Sequence, residues 1–99
     1  MPYVTTHPEA LADTAASLAG VGALMSAQNA AAAAPTTGVL PPAADEVSVL
    51  AATQFAVHAQ MYQAISTQAE AIHQQFVSTL EMSATSYEAT EVANAIAAS

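Results

Sequence analysis

The apolar positions of this chain form two helical patterns separated by one break. At 100° per residue, Val47, Ala51, His58, Met61, Tyr62, Ile65, Ala69, Ile72, Phe76 and Leu80 share one arc, with Leu50, Phe55, Val57 and Val77 at its margins. Gln60, Gln63, Thr67, Glu70, Gln74, Ser78 and Glu81 take the other side. No Gly or Pro interrupts this stretch, so it predicts one helix over about 43–82, opened by Asp45 and Glu46 at the positive end of its dipole. The earlier pattern is thinner. Leu11, Leu18 and Met25 recur every seven residues, flanked by Val21 and Leu24, and most of what lies between is Ala. It predicts a helix over about 8–34 in which Thr6 caps, Pro8 occupies the first turn and Glu9 completes a capping box. Gly20 and Gly22 weaken that helix and suggest close approach of a neighbouring one.

Between the two patterns lies Pro35-Thr36-Thr37-Gly38-Val39-Leu40-Pro41-Pro42, whose three prolines and glycine cannot carry a helical ladder, so the chain stops and reverses over 35–42. A seven-residue repeat favours lengthwise packing. The expected fold is therefore all-α: a hairpin of two long antiparallel helices over residues 1–83, with a seam of small residues on one side and exposed Phe, Tyr, Ile and Met on the other. The apolar arc is wider than one thin neighbour can cover. Val47, Leu50, Phe55, His58, Met61, Tyr62, Ile65, Ile72, Phe76 and Leu80 are accordingly expected to meet a partner and complete a four-helix bundle. Residues 84–99, rich in Ser, Thr and Ala, are expected to fray or extend as a tail.

Composition changes the picture in three ways. The chain has 99 residues and a hydrophobic fraction of 54%, but 27 of those residues are Ala, and the larger apolar side chains are too few to order it unaided. With no Lys or Arg and a formal net charge of −8, nucleic-acid binding and polybasic lipid attachment are excluded. With no Cys, thiol chemistry and disulfides are excluded as well. His58 and His73 are ~22 Å apart by helix rise and His7 lies in another segment, so no metal site is expected. His58, one turn from Tyr62, reads instead as an interface histidine. Ser, Asp and His occur without a Gly-x-Ser-x-Gly elbow or a strand to hold one, and Gly20-Val21-Gly22 lacks the context of a dinucleotide loop. Neither an enzyme nor a cofactor is expected. The longest apolar runs, 18–25 and 30–34, are shorter than the ~20 residues of a membrane span. Residues 1–7 lack the basic and apolar regions of a leader, so any export would take another route.

Pro8-Glu9 near the N-terminus, the Ala-rich first helix, the run from Pro35 through Ala43-Ala44-Asp45-Glu46-Val47-Ser48, and Tyr87-Glu88-Ala89-Thr90-Glu91 together resemble the mycobacterial PE proteins, named for that Pro-Glu pair. The resemblance covers essentially the whole chain, which looks like a bare PE domain. It implies a helical hairpin that pairs with a PPE-family protein in an elongated bundle, exported by a type VII secretion system. An EspG-type chaperone would contact the PPE partner. It also implies that Tyr87 and Glu91, matching the family's Tyr-x-x-x-Asp/Glu pattern, form the secretion signal. The chain would be cytoplasmic before export and secreted or at the cell surface afterwards. An envelope role in solute uptake beside a PPE partner, or a homodimeric helical bundle, are the alternatives. The complete lack of Lys and Arg departs from the family's usual composition.

Overall fold

The computed structural model describes residues 4–99; Met1, Pro2 and Tyr3 of the stretch read for a leader lie outside them. The described residues form two helices, α1 (Pro8–Thr37) and α2 (Glu46–Ala98), and no strand.

The backbone N–H groups of Ala10 and Leu11 donate to the His7 carbonyl at 3.0 and 3.3 Å, which makes His7 the N-cap and Pro8 the first helical residue. Proline suits that position, where its missing N–H would have had no helical partner. The expected capping box does not form. Thr6 precedes the cap and its hydroxyl is used elsewhere, while Glu9 sits in the first turn, 3.5 Å from the exposed His7 ring.

Helix α1 runs through Pro35 to Thr37, past the end expected at Ala34. Pro35 falls close to the helix end, and its missing N–H removes only the ladder bond to the Ala31 carbonyl. Thr36 and Thr37 hydroxyls donate to the Ala32 and Ala33 carbonyls at 2.6 Å each, and the Gly38 N–H donates to Ala34 at 3.1 Å. The connection is thus 38–45 rather than 35–42. Asp45 then caps α2: the Ser48 N–H donates to its Oδ1 at 2.7 Å and the Ser48 hydroxyl to its Oδ2 at 2.9 Å. The backbone bond from Ser48, first, and the hydroxyl, second, hold the Asp45 carboxyl below its ordinary value.

Helix α2 continues to Ala98, beyond the end expected near Met82. Residues 84–98 contain no Gly or Pro and are rich in Ala, so helix propensity carries them on and the loose tail is corrected to helix. A second correction concerns α1, which holds an 18-residue window of mean hydropathy 1.3 and is, by length and composition, apolar enough to cross a membrane. Ser17, Ser26, Gln28 and Asn29 divide its apolar residues into short runs, although the mean over the window stays high.

The helices pair in two compact units. The connection unit is Gly22–Ile72, and the terminal unit joins the chain up to Val21 with His73–Ser99. In the connection unit the covered positions include Gly22, Asn29 and Ala32 of α1 and Ala52, Ala56, Ala59, Gln63, Ser66 and Glu70 of α2. Asn29 ties them together: Tyr62 Oη donates to its Oδ1 at 2.7 Å, and Gln63 Nε2 donates to its carbonyl at 3.2 Å. In the terminal unit they are Pro8, Leu11, Ala15 and Leu18 of α1 with His73, Val77, Leu80, Ser83, Ala84 and Glu91 of α2. There His73 Nε2–H donates to the Leu18 carbonyl. Within each unit the pairing is antiparallel. Along α2 the covered positions recur at alternating steps of four and three, the repeat of lengthwise helix packing. The buried residues are small: Ala15, Ala52, Ser66, Val77 and Ala84, and no large side chain among the described residues is fully buried. At Gly20 an added Cβ would meet nothing within 4 Å, so no helix approaches there; Gly22 is half-buried.

Candidate interaction surface and C-terminal site

Outside the small-residue seam, α2 leaves large apolar side chains exposed in each unit. Phe55 is 65% exposed, Ile65 61%, Ile72 66% and Phe76 53%, and Val47, Leu50, His58, Met61 and Tyr62 are exposed with them. Leu80 is the exception among the expected partner-facing residues, being half-buried, and Val77 at the arc's margin is buried. The cause is a mismatch of periods. An arc drawn at 3.6 residues per turn drifts by about 20° per seven residues against a seam repeating every seven, so toward its C-terminal end the two overlap. Gln63 and Glu70 are corrected in the same way: they sit half-covered in the seam rather than on the solvent side, and His73 is half-covered with them.

Three α1 residues that the sevenfold spacing turned inward are exposed as well. Val21, Leu24 and Met25 are exposed, because past Leu18 the seam passes through Gly22 and Asn29 instead of Met25. The signal that could have found this is the polar pair Gln28-Asn29 in an Ala-rich stretch, of which Asn29 meets the facing helix. Phe55, His58 and Tyr62 line an open groove of about 670 Å³ with Pro35, Thr36 and Val39, so the expected neighbourhood of His58 and Tyr62 is present.

At the other candidate site, Tyr87 is 48% exposed and lines a depression with Thr79, Met82, Ser83 and Ser86. Glu91, one turn on, is half-buried, and its Oε1 accepts a hydrogen bond from the Thr6 hydroxyl at 2.8 Å. Pro8 and Glu9 line the same groove as Thr6, Glu88 and Glu91, so the two sequence motifs, far apart along the chain, meet at one place. Tyr87 and Glu91 line different depressions, because a helical side chain leans back over the turn before it. Among the described residues no group of three His, Asp or Glu could hold a metal ion.

The chain matches the PE family over residues 4–94. It is 64% identical over 99 residues to the PE family protein PE13 of Mycobacterium tuberculosis, covering 100% of both chains. It is 55% identical over 95 residues to the PE-PGRS family protein PE_PGRS33 and 50% identical over 98 residues to PE8, both of M. tuberculosis. There it covers 96% and 99% of its own length but 20% and 36% of theirs. With the Pro-Glu pair, the helical pairing and a match of this extent, the chain belongs to the PE family.

Proposed function

We propose that this chain is an exported interaction subunit. It pairs with a PPE-family protein and carries Tyr87 and Glu91 as the type VII secretion signal for the pair, with an EspG-type chaperone acting on the PPE partner before export. The observation that carries the pairing is the exposure of Phe55, Ile65 and Ile72 in the connection unit and of Phe76 in the terminal unit. Family membership supports the rest, and the chain does no chemistry of its own in this reading.

Co-expression with candidate PPE proteins followed by size-exclusion chromatography tests the pairing. A one-to-one heterodimer is expected, with the chain alone self-associated or poorly folded. A well-folded monomer, or a homodimer indifferent to every PPE candidate, would overturn it. The signal is tested by comparing culture filtrate with lysate: Tyr87→Ala and Glu91→Ala should hold the protein in the cell while Glu88→Ala is exported. Normal export of both would remove the signal from the proposal.

A further inference from the structure

We propose that Thr6 is a positioning residue for Glu91, so that the C-terminal export signal is completed by the N-terminal segment of the same chain. This rests on the reading of Tyr87 and Glu91 as the signal. Beyond Ala84, Glu91 is the only covered residue of α2, and everything else from 85 to 98 is exposed. The bond from the Thr6 hydroxyl to Glu91 Oε1, at 2.8 Å across 85 residues of sequence, is therefore the tie that holds the last turns of the helix to the rest of the terminal unit. Tyr87 lies between the two anchors, one turn after Ala84 and one turn before Glu91.

The geometry of the other threonines sharpens the point. Thr14, Thr53, Thr67, Thr79, Thr85 and Thr90 each donate to a carbonyl four residues back in their own helix. Thr6, one residue ahead of the His7 cap, is outside α1 and donates to α2 instead. A helix end without tertiary packing opens readily, whereas a hydrogen bond to a charged acceptor is among the stronger single contacts. The bond fixes the carboxylate in one place and keeps the residues around Tyr87 helical, so a receptor meets both side chains on a preformed surface.

The test uses the full-length tagged chain expressed in a mycobacterial host, with amide hydrogen exchange measured on the complex recovered from lysate and export measured in culture filtrate. Thr6→Val, which keeps the shape and removes the donor, should speed exchange over 84–98 by about tenfold or more and lower export severalfold. Thr6→Ser, which restores a hydroxyl, should recover both. Unchanged exchange in Thr6→Val overturns the tie. Faster exchange with normal export overturns the positioning role, while loss of export in Tyr87→Ala and Glu91→Ala would leave the signal itself standing. Normal export of those two variants overturns the signal and the positioning role together, with the exchange measurement still reporting on the tie alone.

Discussion

In the connection unit α2 turns Ala52, Ala56 and Ala59 inward and leaves Phe55, Met61, Tyr62 and Ile65 outside; in the terminal unit it turns Val77 and Leu80 inward, toward a stretch of α1 that supplies Leu11 and Leu18. An inward Ala removes far less apolar surface from water than an inward Leu or Val. The terminal unit therefore draws some cohesion from its own seam, while the connection unit relies on Asn29 and on whatever covers its outer face. A helix whose larger side chains point away from its only neighbour is shaped for a second one.

The widest test of that difference is an aspartate on each outer face. Ile65→Asp should weaken partner binding by about two orders of magnitude or more, since an unpaired carboxylate would enter a dry interface. Phe76→Asp should act in the same direction but less, its neighbours Val77 and Leu80 already being turned inward. Gln60→Asp and Gln74→Asp, exposed on the far side of the arc, should leave binding unchanged. Titration of the co-purified pair would show it, and a larger loss at Phe76 would reverse the comparison.

A smaller effect separates the two seams. Ala52→Leu should destabilise the complex by about 1–3 kcal/mol through overpacking, whereas Leu18→Ala, which trims a half-buried side chain, should cost about 1–2 kcal/mol. Thermal denaturation of the two variants would read these values; tolerance of leucine at 52 would mean the connection unit is loosely packed.

The smallest effect is confined to the start of α2. Asp45→Ala should lower the melting temperature slightly. Because the capping bonds favour the ionised carboxyl, its contribution is complete above the ordinary carboxylate value and lost as the pH falls through the lowered folded value. Wild type and Asp45→Ala should therefore differ at neutral pH and converge in strong acid.

Much of this was legible in the sequence. The break between the helices, Asp45 at the second helix start and the exposed apolar arc from Val47 to Phe76 follow from local rules of capping, chain breaking and periodicity. What was not legible depends on which face meets the neighbour. The small seam displaced Met25 outward and drew Val77, Leu80 and His73 inward, because a sevenfold packing repeat and a helix of 3.6 residues per turn part company over several turns. Pro35 withholds a donor from the Ala31 carbonyl alone, so the helix runs on past it to Thr37. Thr6 read as a local cap, since nothing in its neighbourhood announces a partner 85 residues away.

The seam of small side chains carries one more consequence, for register. Sliding one helix along the other by seven residues would again bring seam positions face to face, since the covered positions repeat with that period. What such a slip cannot reproduce is the set of bonds from Tyr62 and Gln63 to Asn29 in one unit, and from His73 to Leu18 and Thr6 to Glu91 in the other. Each contributes modestly to stability, yet together they distinguish one alignment from its near-equivalents, as a polar residue does in an otherwise apolar coiled coil.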